Sequence, residues 1–235
     1  MLVIRSLLFL LLQIVITPIF AMLALLTFPF SPLTRYHIIS LWAKMMLPLL
    51  RLVCGIRYEV RGTENLPKKP CVVLCKHQSA WETLALQKVF PPQVWVLKRE
   101  LLWIPFFGWA LALTSPIAIK RSDGKGAMRQ LLKQGKQRMA QGFCVVIFPE
   151  GTRIPFGKRG KYKIGGALLA ESCGVPVVPV AHNAGRLWGR NAFSKHPGLI
   201  TLSIGTPIET KGLKAEEINA RVEAWIESEI QQLPH

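Results

Sequence analysis

Acidic residues are scarce in this chain of 235 residues, which has 13 Asp and Glu against 30 Lys and Arg and a formal net charge of +17. The imbalance is uneven, because residues 1–208 hold 27 of the bases and only 7 of the acids, whereas the remaining C-terminal segment is net acidic. So basic a body attracts polyanions, either nucleic acid or an anionic membrane surface. The sequence has no zinc module and no aromatic RNA-binding pattern, so nothing beyond charge favours nucleic acid.

Cysteine spacings typical of a metal site or a disulfide framework are also missing. The five cysteines are odd in number and lie mostly among apolar residues. Cys71 and Cys75 lie within one predicted strand and have no matching Cys or His pair elsewhere, so no metal is expected. The pattern favours buried, reduced thiols in a domain that faces the cytosol.

Charge is absent from residues 6–30. A helix of this length and composition spans the hydrocarbon core of a bilayer. Pro18 lies in the middle, so a kink or a helical hairpin that enters one leaflet is the alternative. A cleaved signal peptide is disfavoured, because the apolar run is long, only Arg5 precedes it, and the cysteines argue against export.

Bases without acids follow this apolar segment as far as Glu59, which predicts that the following domain lies on the cytoplasmic side of a membrane, the inner membrane if the source is bacterial. Residues 36–53 are predicted as a second helix, either interfacial or simply buried. Residues 1–55 are therefore predicted as membrane-anchoring helices, and residues 56–235 as the catalytic domain. The bases are Arg35, Lys44, Arg51 and Arg57.

Short apolar runs alternate with helical patterns from residue 56 onward, and helices are predicted at 126–141 and 213–233. This alternation predicts an α/β fold with a largely parallel sheet flanked by helices. The predicted strands are Arg57–Arg61, Cys71–Cys75, Val94–Leu97, Ile117–Ile119, Cys144–Phe148, Val175–Val180 and Leu199–Ile204.

His77 lies five residues before Glu82, directly after the predicted strand 71–75. Two helical residues five apart are separated by about 140° around the axis, so the spacing favours a loop position for His77 and a first helical turn for Glu82. An imidazole takes up a proton near pH 7, and a carboxylate orients it, which is the equipment of a general base. The alternative is structural, because Ser79-x-x-Glu82 is also a capping box that would start a helix at Ser79.

A second motif, Phe-Pro-Glu-Gly-Thr-Arg at 148–153, follows the predicted strand 144–148. Arg153 offers a rigid fork of donors for a phosphate, and Gly151 frees the backbone of the loop. Together with His77 this motif favours catalysis over an ordinary buried histidine. The bases further along the loop serve either the substrate or the membrane: Lys158, Arg159, Lys161 and Lys163.

These motifs resemble those of the glycerolipid acyltransferase family, in particular its lysophosphatidic acid acyltransferases. The resemblance covers residues 55–210, and one departure is Glu82, where the family usually has Asp. The blocks that resemble the family, in chain order, are Lys76–Glu82, the Lys-x-Glu-Leu turn at Lys98–Leu101, Ile117–Arg121, the unchanged Phe148–Arg153, and Val175–Val180.

The resemblance implies a glycerol-3-phosphate acyltransferase-like fold and transfer of an acyl group from a thioester to the sn-2 hydroxyl of lysophosphatidic acid, giving phosphatidic acid. It implies His77 as the base and Glu82 as its partner. No acyl-enzyme is needed, which fits the absence of a G-x-S-x-G sequence. The implied substrate-binding residues are Lys98, Arg121, Glu150, Gly151, Thr152 and Arg153.

The implied partners are membrane lipid and a donor, acyl-CoA or acyl-carrier protein, with no cofactor, no metal and no nucleic acid. The sequence leaves the donor, the chain length and the oligomeric state open. One alternative is an acyltransferase for glycerol 3-phosphate, another lysophospholipid or an amino-lipid, and a hydrolase is chemically adjacent. The alternative from another class is a non-enzymatic basic membrane tether, which would need neither His77 nor Arg153.

Overall fold

A seven-stranded sheet forms the centre of the computed structural model, which describes residues 1–234 apart from the side chain of Arg121. The strand order is β1-β7-β6-β2-β5-β3-β4, and every neighbouring pair is parallel except β6 and β7. The predicted, largely parallel sheet is confirmed. The strands are β1 (Ile56–Arg61), β2 (Val72–Cys75), β3 (Gln93–Lys98), β4 (Ile117–Ile119), β5 (Cys144–Ile147), β6 (Val177–His182) and β7 (Gly198–Ile204).

Helices cover both faces of this sheet. The predicted single helix at 36–53 is wrong in one detail, because it is interrupted at Ser40, whose hydroxyl donates to the carbonyl of His37. The helices are α1 (Leu2–Leu25), α2 (Pro32–Ile39), α3 (Leu41–Cys54), α4 (Trp81–Val89), α5 (Phe107–Leu113), α6 (Gly124–Ala140), α7 (Gly165–Cys173), α8 (Ala184–Leu187) and α9 (Ala215–Gln232).

The central strands are buried on both faces, and their residues alternate between two cores. Val73 of β2 packs into a cluster with Met46 of α3 and Leu84 of α4. Its neighbours in the strand, such as Leu74, pack on the opposite side with Leu169 of α7. A parallel sheet covered in this way leaves its strand ends as the open edge for a site.

Two helical segments near the N-terminus, α1 and the combined α2–α3, are long and apolar enough to cross a membrane by length and composition. Pro18 lies within α1, which continues past it. The first turns of α1 nevertheless dock on the rest of the protein, because the buried Phe9 ring meets Trp188 edge-on at 5.9 Å. The division into units at residue 55 stays a prediction, and helix packing joins the two sides of that point.

Candidate active site

Three adjacent strands bring the sequence motifs together at their carboxyl ends. His77 follows β2, the Phe148–Arg153 motif follows β5, and His182 ends β6. Because β2 pairs with β5 on one side and with β6 on the other, all in parallel, the residues that follow them meet at one edge of the sheet. The sheet order therefore assembles the site from segments far apart in the chain.

His77 and Glu82 form a close pair, with 2.7 Å between Nδ1 and Oε1. His77 lies in the loop after β2 and Glu82 in the first turn of α4, which confirms the predicted strand–loop–helix junction. The helix begins at Trp81 rather than at the predicted Ser79, whose hydroxyl accepts the Trp81 N–H at 3.1 Å. The histidine ring remains partly exposed while the carboxylate is fully buried.

Glu82 also holds the loop that carries His77. Its carboxylate accepts the backbone N–H groups of Gln78 and Ser79 at 3.1 and 3.0 Å, so the capping role and the pairing with His77 coexist. Burial raises the pKa of the Glu82 carboxyl, but His182, His77 and the Ser79 N–H outweigh it, and the net pKa is lowered. An ionised Glu82 accepts a hydrogen bond from the Nδ1–H of His77. This fixes the tautomer in which Nε2 is the proton acceptor.

Aromatic stacking fixes the orientation of the His77 ring. The ring lies on Phe148 with centroids 3.9 Å apart and an angle of 12° between the planes. Trp95 of β3 stacks on Phe148 in turn, at 5.6 Å and 19°. Sequence reasoning missed this stack, because no local pattern links residues 77, 95 and 148.

A second histidine, His182, supports the same loop from β6. It is fully buried, and its Nε2 lies 2.9 Å from the carbonyl oxygen of Lys76 while Nδ1 accepts the Ala184 N–H at 3.2 Å. These partners require a neutral ring that donates from Nε2. Burial lowers the pKa of His182, which keeps the ring neutral. Its Nε2 is 3.8 Å from the Glu82 carboxylate. The only sequence signal was a polar residue just beyond the predicted strand.

Lys76, the residue before His77, is a fully buried cation between two carboxylates. Its Nζ lies 2.8 Å from Glu150 Oε1 and 2.7 Å from Glu227 Oε1 of α9, and the Tyr162 hydroxyl donates to the same Glu227 oxygen at 2.9 Å. The other oxygen of Glu150 accepts the backbone N–H of His77 at 3.1 Å. Glu150, which the sequence predicts as a substrate-binding residue, has both carboxylate oxygens engaged by these contacts with Lys76 and the His77 N–H.

The loop of the second motif is fastened directly to the His77 loop. Ile154 donates its N–H to the carbonyl of His77 at 2.7 Å. Gly151 has a left-handed φ of 68°, and its N–H donates to the Phe148 carbonyl at 2.9 Å, so Gly151 shapes the turn and this N–H is not directed at a substrate. Thr152 is exposed on the same turn.

Two of the three predicted phosphate ligands line one cavity. Arg153 and Lys98 line it, and Arg153 Nε is buried without a hydrogen-bond partner. Lys98 is half-exposed and lies 3.7 Å from Glu100. Arg121 begins a short turn after β4, and its side chain lies outside the described part of the structure.

This cavity, of about 360 Å³, extends from His77 into apolar surroundings. Its lining combines a proton acceptor, His77, and two cations, Lys98 and Arg153, with a largely apolar surface, which suits an amphipathic substrate. Within the described residues, no group of three His, Cys, Asp or Glu side chains is placed to hold a metal ion. Its apolar lining includes Phe20, Tyr36, Trp42, Leu101, Phe107 and Leu111.

A match to one protein family identifies the class of this protein. The family model described as Acyltransferase matches residues 57–183, and the chain belongs to this family. Among its relatives, the 1-acyl-sn-glycerol-3-phosphate acyltransferase of Pseudomonas aeruginosa is 49% identical over 95% of this chain and 89% of that protein. The predicted family is therefore confirmed.

More distant relatives carry the same name. The chain is 32% identical to the bovine 1-acyl-sn-glycerol-3-phosphate acyltransferase alpha and 31% identical to the Saccharomyces cerevisiae enzyme, each over 75% of this chain. It spans 63% and 59% of those two proteins. The fold is similar to the crystal structure of the 1-acyl-sn-glycerophosphate (LPA) acyltransferase from Thermotoga maritima, with a TM-score of 0.81, 23% identity, and coverage of 98% of this chain and 95% of that one.

Proposed function

We propose that this protein transfers a fatty acyl group from a thioester to the sn-2 hydroxyl of lysophosphatidic acid and so forms phosphatidic acid. The observation that carries the proposal is the 2.7 Å His77–Glu82 pair, whose histidine lines a largely apolar cavity together with Arg153. The 49% identity to a 1-acyl-sn-glycerol-3-phosphate acyltransferase supports the same acceptor. A non-enzymatic tether would need neither the pair nor the cavity.

In the proposed reaction His77 acts as general base and then as general acid. Nε2 takes the proton of the sn-2 hydroxyl as that oxygen forms a bond to the thioester carbonyl carbon. The tetrahedral intermediate collapses with cleavage of the C–S bond, and the imidazolium returns its proton to the departing thiolate. Glu82, ionised and buried, stabilises the imidazolium between the two steps and keeps the ring in the required tautomer.

The cavity accounts for substrate binding in this proposal. Its apolar interior takes an acyl chain, and Arg153 takes the phosphate, since a guanidinium pairs with phosphate oxygens through two donors. We propose Lys98 and Arg121 as secondary phosphate ligands at the ends of β3 and β4. Thr152 and Gly151 shape the loop that carries Arg153, and Glu150 positions it from behind.

The donor in this proposal is acyl-CoA or acyl-carrier protein, and the reaction itself uses no cofactor. The two apolar N-terminal helical segments support association with a membrane. We propose that the catalytic domain faces the cytoplasm, because bases without acids follow α1 up to Glu59.

A panel of acceptors with a labelled acyl donor tests the function. The purified protein is offered lysophosphatidic acid, glycerol 3-phosphate and other lysophospholipids, with acyl-CoA and acyl-carrier protein compared as donors. We expect transfer to lysophosphatidic acid and a loss of about 10²–10⁴-fold in the His77→Ala variant. The exposed His196→Ala variant is the matched control. Absence of transfer to lysophosphatidic acid from both donors would overturn the proposal.

A further inference from the structure

Large apolar side chains crowd an exposed segment that runs from the end of β3 into α5, and most of these side chains have no role in the proposed reaction. The exposed fractions are 71% for Trp103, 44% for Ile104, 45% for Phe106 and 46% for Trp109. So many bulky apolar groups within seven residues form a contiguous patch, and such patches on proteins mark sites of interaction. We call residues 101–109 the aromatic wedge.

The backbone of the wedge is held in a strained conformation that displays these rings. Phe106 has φ 60° and ψ −61°, and the N–H of Phe107 donates to the Pro105 carbonyl at 2.6 Å, which together form a γ-turn of positive φ. A bulky residue adopts this conformation at a cost in free energy, and such strain concentrates at functional sites. The turn brings Phe106 against Trp109, with ring centroids 5.2 Å apart.

Gly108 keeps this turn compact. Its N–H donates to the Ile104 carbonyl at 2.7 Å, and a Cβ at this position would lie 2.5 Å from the Leu102 carbonyl oxygen. The close approach of the two backbones allows no side chain here. The wedge is therefore a defined, rigid projection.

The wedge stands beside the helix that is long and apolar enough to enter a membrane. The helix that completes it, α5, packs against α1 and α2. Two wedge residues, Leu101 and Phe107, line the same cavity as Phe20 and Ala21 of α1. The cavity therefore borders both α1 and the wedge, and both of these elements carry large exposed apolar side chains.

Exposed bases flank the wedge at the ends of two paired strands. Lys98 and Arg99 precede it, and Lys120 follows β4, the strand that pairs with β3. Tryptophans beside Lys and Arg at the edge of an apolar surface are the pattern of a membrane–water interface, where the bases meet anionic headgroups. This charge pattern and the packing of α5 against the exposed, apolar α1 favour a bilayer over a docked protein.

We propose that the aromatic wedge is a second membrane-inserting element, which enters the headgroup–acyl boundary of an anionic bilayer beside α1. The cavity then opens to the bilayer between these two elements, and the single-chain lipid acceptor enters it laterally without leaving the membrane. The identity of that acceptor rests on the proposed function, whereas the insertion of the wedge does not.

Quenching by brominated lipids tests insertion directly. The full-length protein is placed in vesicles of phosphatidylcholine and phosphatidylglycerol whose acyl chains carry bromine near the headgroup. The measured quantity is the tryptophan fluorescence that the brominated lipid quenches. We expect this quenched intensity to be smaller than in wild type for the Trp103→Phe/Trp109→Phe variant. It should equal that of wild type in the Trp225→Phe control on α9. Equal quenched intensity in wild type and in the Trp103→Phe/Trp109→Phe variant would overturn the proposal.

Activity with two forms of acceptor tests the lateral path. Trp103 and Phe106 do not line the cavity. The Trp103→Glu/Phe106→Glu variant is therefore expected to lose about tenfold or more in acylation of a long-chain acceptor in vesicles, because charge at the interface opposes insertion. Acylation of a short-chain acceptor dissolved in water should change by less than about twofold, because the chemistry is untouched.

Equal losses with both acceptors, or no loss with either, would overturn the lateral path. A wild-type protein that is quenched by brominated lipid but acylates neither acceptor would instead reject the proposed function and leave the wedge standing. The two ideas therefore fail separately.

Discussion

The carboxylate of Glu82 joins the histidine ring to the start of a helix. The family to which the chain belongs usually has Asp at this position, and the longer glutamate raises the question of where the extra methylene goes. The N–H groups of Gln78 and Ser79 draw the carboxylate back onto the loop, and the 2.7 Å contact with His77 is kept. The glutamate therefore replaces the shorter residue without loss of the pair.

Replacing Glu82 by Gln separates its two roles. Glutamine can serve in a helix cap but carries no negative charge to stabilise an imidazolium, so we expect an intact fold and a fall in kcat of about 10²–10⁴-fold. Circular dichroism and steady-state kinetics measure the two effects. The Glu82→Asp variant is the charged comparison and should retain more activity than Glu82→Gln. Near-normal turnover in Glu82→Gln would rule out a catalytic role for this carboxylate.

Stability should fall as the pH is lowered from 7 to 5, and His182 should account for part of the slope. Burial lowers the pKa of His182 from its ordinary value of 6.5 in the folded chain, so the unfolded chain takes up the proton first as the pH drops. The resulting loss of stability approaches at most about 1.4 kcal/mol per pH unit for one group. Glu82, whose pKa is lowered from 4.5, contributes below this window.

Thermal unfolding in detergent across this pH range tests the role of His182. The His182→Gln variant should show a shallower decline than wild type, whatever its absolute stability. The exposed His196→Gln variant is the control and should keep the wild-type slope. A slope that is the same in all three proteins would contradict the assignment.

At the scale of secondary structure, the C-terminal helix α9 supports the loop that carries His77. Glu227 reaches the buried Lys76 at 2.7 Å, and Lys76 also holds Glu150, which accepts the N–H of His77. The amphipathic pattern of α9 predicts the helix itself. It does not distinguish Glu227 from the other acids of the segment, because the partner lies 151 residues away in the chain.

Two glutamates one helical turn apart on α9 offer a matched comparison. Glu227→Gln removes one carboxylate from a buried cation and should lower the free energy of unfolding by about 1–3 kcal/mol, together with kcat. Glu223 pairs with the exposed Arg159 at 2.6 Å, and Glu223→Gln should leave the unfolding midpoint unchanged. Urea unfolding measures the free energy of unfolding of both variants, and steady-state kinetics measure their kcat. Equal effects of the two substitutions would show that the buried cluster does not support the site.

At the scale of the whole molecule, the N-terminal helices and the sheet share one core. Met46 and Leu50 of α3 are buried in the cluster that also contains Val73 and Val146 of the central strands. Ser6 of α1 accepts the backbone N–H of Lys195 at 2.9 Å. Removal of these helices would therefore expose one face of the sheet.

Truncation tests the predicted boundary at residue 55. A chain that begins at residue 56 loses α3, and we expect it to aggregate without a cooperative unfolding transition, because about 2–5 kcal/mol is lost for each large core side chain removed. A chain that begins at residue 31 keeps α3 and should unfold cooperatively in detergent. Calorimetry and size-exclusion chromatography compare the two. Cooperative unfolding of residues 56–235 alone would show that they form an independent domain.

Much of the fold follows from local patterns. All seven strands were predictable within two residues of their ends, because most of them are apolar runs between turn-forming residues. The strand–loop–helix junction at His77 and Glu82 was predictable as well, since five residues of spacing exclude one helix face. The sheet order and the antiparallel pairing of β6 with β7 were not, because pairing joins segments distant in the chain.

The sequence by itself determined the class of fold, the spacing of the His77–Glu82 pair, the loop of Arg153 and the family, because each is written in a short segment whose chemistry is local. Only the tertiary structure decided what surrounds them. The stack on Phe148, the support from His182, the ion pair of Glu150 with Lys76, and the wedge beside α1 all depend on which strands and helices are neighbours. That choice is made by packing across the whole core, which no single segment encodes.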